Sequence, residues 1–131
     1  MDANLEPILD ILQVLPPPAV REVADFTDYL FRKYVHPAMD EYAARRKANR
    51  WLVERVGNMV MADQPVLTPS GNRPVWRFGA FVTSLSHAPR GPIGHLDVDA
   101  TTGDVLANDH TIKEMKRRGA RLARSSPSAG G

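Results

Sequence analysis

The sequence predicts an α+β fold: an N-terminal helical hairpin and a long helix, an antiparallel three- or four-stranded sheet, and a C-terminal helix packed on one sheet face. Three observations predict it. Apolar residues recur at helical spacing through the first half of the chain, and the pattern switches to period two in the second half. Residues 93–106, reading IGHLDVDATTGDVL, have the form strand, turn, strand. Helical spacing returns after Thr111. A chain of 131 residues can bury roughly two-thirds of its unfolded surface, enough for one real core.

In residues 6–15, Ile8, Ile11, Leu12 and Leu15 stand at i, i+3, i+4 and i+7, the stripe of a short helix. Pro16, Pro17 and Pro18 stop it, since an interior proline removes a donor and clashes with the preceding turn. The last of them suits the first turn of the next helix. Residues 19–34 repeat the stripe with Val20, Val23, Ala24, Thr27, Leu30, Phe31 and Tyr34. Phe26 and Tyr29 widen the apolar face beyond what one packed neighbour covers.

His36-Pro37 breaks the pattern, and a long helix is predicted over residues 37–62, ended by Asp63-Gln64-Pro65. At 1.5 Å per residue it would span about 40 Å. Its apolar stripe is Tyr42, Asn49, Leu52, Val53, Val56, Met59 and Val60, with Arg46, Lys47 and Arg50 on the solvated side. After Val66 and Leu67, residues 68–73 read as a loop containing Pro69 and Gly71. Residues 75–85 read as a strand with Trp76, Phe78, Ala80 and Val82 on one face, and residues 86–92 as a turn-rich loop.

In the hairpin that follows, Leu96, Val98 and Ala100 share one face, and His95, Asp97 and Asp99 the other. Gly103 supplies the positive φ of the turn, and Asp99 is placed to accept a backbone N–H within it. The Leu96/Val98 face meets the Trp76/Phe78 face in a shared core. Thr111-Ile-Lys-Glu114 has capping-box spacing and starts a last helix, with Ile112, Met115 and Leu122 inward. The organisation predicted is a helical hairpin at residues 1–35, the long helix, sheet and last helix at residues 36–124 forming one compact unit with it, and a disordered tail at residues 125–131.

Charge is unevenly placed. Residues 1–41 hold eight acids against Arg21, Arg32 and Lys33, a net of −5; residues 45–55 carry +4, and residues 110–124 carry +5. Such asymmetry steers a partner or complements itself between elements or subunits. With no cysteine there is no disulfide framework, thiolate metal site or cysteine nucleophile. The apolar runs fall far short of the ~20 residues that cross a bilayer. Residues 1–10 are acidic and lack the layout of a signal peptide. The expectation is a cytoplasmic protein without a membrane partner.

Ile8, Leu12, Leu15-Pro16, Glu22-Val23, Asp25-Phe26, Tyr29-Leu30 and Lys33 resemble a helical module of unknown function, with the pattern LPP…EVxDFxxFL, that heads small bacterial antitoxin-like proteins. Val98-Asp99-Ala100-Thr101-Thr102-Gly103-Asp104-Val105, preceded by the aromatic strand around Trp76, resembles the VDAxTGxV strand-turn-strand of PepSY-type domains. The first resemblance implies an antitoxin-like protein. The second implies a non-catalytic domain associated with inhibiting or chaperoning peptidases.

Candidate chemistry is sparse. His95, Asp97 and Asp99, with His87 or His110 nearby, carry the residue types of a mixed N/O metal site, but no paired-ligand motif surrounds them. Ser84, Ser86 and His87 lack a nucleophile elbow, and Gly91, Gly94 and Gly103 match no phosphate-binding spacing. The expectation is therefore no enzyme: no catalytic residue, no cofactor and no metal. A metal-dependent or hydrolytic activity at the His95/Asp97/Asp99 face is the remote alternative. The leading expectation is a protein-binding or regulatory module that pairs with itself as a homodimer or with another protein. Phe26, Tyr29 and Phe31 are its anchors, because desolvated aromatics dominate interface energetics. The runner-up is a nucleic-acid-binding protein using the basic helices at residues 45–55 and 110–124, with Arg117, Arg118 and Arg121 on phosphates.

Overall fold

A computed structural model describes residues 5–84 and 88–125, with the backbone alone at residues 123–125. Leu85, Ser86, His87, the Arg124 side chain and the tail from residue 126 lie outside the described residues. The fold is α+β, with four described helices and an antiparallel sheet. The chain divides into two compact units, residues 1–36 and 37–131.

The first unit holds α1 (Leu5–Val14) and α2 (Pro17–Tyr34). Leu15-Pro16 separates them, and Pro17 and Pro18 occupy the first helical positions, where a missing N–H loses no bond. Neither helix buries a residue, although Leu12, Leu15, Val23, Leu30 and Phe31 are half-buried.

The second unit opens with α3 (Glu41–Arg55), capped by Asp40, whose carboxylate accepts the Ala43 N–H at 2.8 Å. This helix is much shorter than the one expected over residues 37–62. It ends where Gly57-Asn58 follow Val56, and Val60–Ala62 is not helical but forms strand β1, paired with residues 80–82. Long-range pairing overrides the local apolar period there. The inner stripe also differs. Ala44, Ala48 and Leu52 are fully buried, while Tyr42 is 71% and Val53 50% exposed. Two alanines let the helix lie close on the sheet, and a stripe drawn from large residues alone overlooks them.

Strand β2 (Val66–Ser70) replaces the loop expected at residues 68–73. Gly71, at φ 63°, turns it into β3 (Arg73–Val82), and Pro69 stands opposite Pro74. A proline is tolerated on such an edge strand because its missing N–H withdraws no interior ladder bond. β1 and β2 lie along the same edge of β3, so five strands make four ranks: β1 with β2, then β3, β4 (Arg90–Asp99) and β5 (Val105–Leu106). At the break between β1 and β2, Asp63 donates its N–H to Gly79 C=O at 3.0 Å and accepts the Gly79 N–H on its carboxylate at 2.7 Å. A side chain completes the ladder where the backbone turns away.

The last helix, α4 (Asp109–Ser125), is capped by Asn108, which accepts from the Thr111 N–H at 2.9 Å and the Thr111 hydroxyl at 3.1 Å. The capping box expected to begin at Thr111 is therefore displaced, with Thr111 inside the first turn. Asn108 outranks threonine as a cap.

The core forms on the sheet face carrying Phe78, Ala80, Leu96 and Val98, with Ala44, Ala48 and Leu52 from α3 and Met115 from α4. Trp76, Val82, Val105 and Leu122 border it. This is the shared core of Trp76, Phe78, Val82, Leu96 and Val98 expected from alternation. α3 and α4 both pack on this sheet face, and Arg77, His95 and Asp97 lie on the opposite one.

Candidate interaction surface

In α2, Phe26 and Tyr29 are three residues apart, on one flank of the helix. Their rings stack with centroids 6.2 Å apart and planes 24° from parallel. Phe26 is 60% and Tyr29 55% exposed. The Lys33 ammonium stands 5.7 Å from the Tyr29 ring and 5.2 Å from the Tyr34 ring, extending the aromatic row by one helical turn. Cation–π attraction of this exposed kind contributes about 0.5–1 kcal/mol. Phe31 does not join the pair. It is half-buried, with the Arg32 guanidinium 5.8 Å from its ring. Arg32 also meets the Asp28 carboxylate at 3.3 Å. The structure therefore unites two of the three expected anchors and adds Lys33 and Tyr34. The i, i+4 spacing of Tyr29 and Lys33 carried that signal in the sequence.

The cations of α4 are less available than their number suggests. Arg117 and Arg118 both reach Glu114, at 2.6 Å and 3.7 Å. The Arg117 hydrogen bond, reinforced by the charges of both arginines, holds the Glu114 carboxyl below its usual range. Arg121 is exposed one turn further on.

On the outer sheet face the acids are engaged one by one. Asp97 receives both Nε and Nη2 of Arg77, at 2.8 Å and 2.9 Å, a forked pair across β3 and β4. That hydrogen bond raises the Arg77 pKa further. Asp99 is buried, with one carboxylate oxygen accepting the N–H groups of Thr101 and Thr102 at 2.8 Å and 3.0 Å and the other accepting from Arg73 at 3.0 Å. The two backbone amides, then Arg73, hold its pKa below the ordinary carboxylate range. Gly103 has φ 82°, and its N–H donates to Asp99 C=O at 2.8 Å, so the turn forms as its sequence requires. His95 is exposed opposite Gly79, and His110 lies exposed in the first turn of α4. Ser86 and His87 lie outside the described residues. Among the described residues, no three His, Asp or Glu side chains are grouped as metal ligands would be. No described helix is long and apolar enough to cross a membrane.

The first unit thus presents an exposed aromatic row, and the outer sheet face presents carboxylates held by arginine. The first arrangement can bury apolar area against a partner. The second holds strands and a turn together. Comparison with protein-family models, with curated proteins and with solved structures finds no match to this chain.

Proposed function

We propose that this chain is a non-catalytic, cytoplasmic protein-binding or regulatory module that acts through the aromatic row of α2, with a second copy of itself as first partner and another protein as second. The observation that carries this reading is the stacked, solvent-exposed pair Phe26 and Tyr29. A pair serving the unit's own core would be buried. Two large rings held against each other in water are instead preorganised to enter a pocket, and rigid aromatics lose little side-chain entropy on docking. Glu22 and Asp25 stand one helical turn before Phe26 and Tyr29, and residues 1–36 carry six acids against three bases. A basic surface complements that charge, and the second unit, with fourteen bases against nine acids, offers one on a second copy. The resemblances to antitoxin-like and PepSY-like proteins support the same class of role, since both are regulatory rather than chemical.

Sedimentation equilibrium over a wide concentration range tests the reading. Association is expected to strengthen with concentration, and Phe26→Ser with Tyr29→Ser is expected to abolish it. Both tryptophans, Trp51 and Trp76, lie in the second unit, so near-ultraviolet circular dichroism reports independently that this unit stays folded. A wild type monomeric at every concentration, together with a double variant that loses helix content, would show the two rings to be structural.

A further inference from the structure

Along one flank of α3, Lys47, Trp51 and Arg55 follow at i, i+4 and i+8, a row spaced about 6 Å apart by helical rise. Facing that row are Gly103, Asp104, Val105 and Leu106, the turn and first residues after it. With Arg50 and Glu54 they enclose an open groove of about 670 Å³. Trp51 packs partly on the core and partly forms the groove wall. Lys47 and Arg55 are exposed, and neither has an ion-pair partner among the described residues. Arg50 reaches Glu54 at 3.3 Å, an exposed pair that water and salt weaken. Asp104 and Glu54 are the acids of the groove, so its lining carries three cations against two carboxylates. On the same helix Arg46, one turn before Arg50, adds a further cation, 6.0 Å from the Tyr42 ring.

An ordinary solvated helix face is convex and lacks an aromatic wall between its cations. Here an indole sits in a concavity between two unpaired positive side chains. That combination suits a phosphodiester strand whose bases are accessible. Cations follow its backbone while a ring accepts a base face, and this is the general physics of single-strand binding. A duplex keeps its bases stacked within the helix and away from Trp51. We propose that this groove binds single-stranded nucleic acid, with a base against Trp51 and flanking phosphates at Lys47 and Arg55. The site is distinct from the aromatic row of α2 and stands or falls separately.

The test uses the full chain and an unlabelled oligodeoxythymidylate, read by tryptophan fluorescence, with fluorescence anisotropy of a labelled strand for affinity. Binding is expected to quench tryptophan emission, and Trp51→Phe is expected to remove the quench while leaving Trp76 emission unchanged. Trp51→Leu keeps apolar bulk on the core and should weaken binding about tenfold or more, the size of one base–aromatic stack. Lys47→Ala with Arg55→Ala changes only exposed side chains, and should lower the slope of log affinity against log salt by about 1.4. Several results would overturn the proposal: no binding at low salt, binding that leaves Trp51 emission and the Trp51→Leu variant unaffected, or a duplex of equal length binding as tightly as the single strand. Thymidine monophosphate binding as tightly as the oligomer would also overturn it.

Discussion

The Trp76 indole donates its Nε1–H to the Met39 carbonyl at 2.7 Å, while the Met39 N–H donates to Ala100 C=O at 2.9 Å. The segment leading into α3 is thus held on both sides by the sheet, at the end where β4 enters its turn. Trp76→Phe keeps most of the packing but leaves the Met39 carbonyl without its donor, and should destabilise by about 1–2 kcal/mol. Trp76→Ala removes the ring as well and should destabilise by about 3 kcal/mol. Urea unfolding of both variants checks the order; a Trp76→Phe variant as stable as wild type would mean the hydrogen bond contributes nothing.

Asn49 predicts a second effect. Met59 C=O accepts from Thr83, and Asp63 exchanges hydrogen bonds with Gly79. The intervening Ala62 N–H therefore points away from β3, and the Asn49 side-chain oxygen accepts it at 2.7 Å. Asn49→Ala strands a donor on a buried residue, and should destabilise by about 1–3 kcal/mol. Amide hydrogen exchange at Ala62 is expected to accelerate selectively; unchanged protection there would count against the bond.

Gly103 should resist substitution on two grounds. Its φ is 82°, and an added Cβ would fall 2.5 Å from Met39 Cε and 3.3 Å from Lys47 Nζ. The methionine end is flexible and can move, but the backbone strain remains. Gly103→Ala should destabilise by about 1–2 kcal/mol and Gly103→Val by more, since β-branching is poorly tolerated at positive φ. Thermal melts of the pair check the ranking.

Asp99 sets an acid limit. Its folded-state pKa lies below the ordinary value, so near pH 4 the unfolded chain binds more protons than the folded one. Its stabilising contribution is complete above the unfolded pKa and disappears as pH falls through the folded pKa. Asp99→Asn retains an oxygen for the Thr101 and Thr102 amides but loses the charge paired with Arg73. It should melt between wild type and Asp99→Ala at neutral pH, with the difference from wild type shrinking on acidification. A gap that stays constant from neutral pH to pH 3 would contradict this assignment.

The second unit was legible wherever one face of an element is buried and carries large residues. Trp76, Phe78, Leu96 and Val98 alternate, and Asp99 with Gly103 marks the turn, so the hairpin and its core face read directly. The C-terminal helix read equally well through Met115 and Leu122. What escaped depended on partners distant in sequence. Val60–Ala62 is a strand because Ala80–Val82 lies beside it, and Val66–Ser70 pairs despite Pro69 because it is an edge. In the first unit, Phe26 and Tyr29 showed as excess apolar width, but their mutual stacking depends on side-chain rotamers that spacing alone does not set. Trp51 and the Lys47–Arg55 row were visible only as part of a charged helix, because the opposing wall comes from residues some fifty positions later in the chain.

Ala44 and Ala48 act as a gauge. With only methyl groups at these two buried positions, α3 packs close over β3 and β4 along its first two turns. Larger residues at these two positions would lift the helix like a shim. That would change the spacing between Lys47, Trp51 and the turn without altering a single charged or aromatic side chain. Evolution or design can therefore adjust the groove's width from inside the core, at positions no ligand would ever touch.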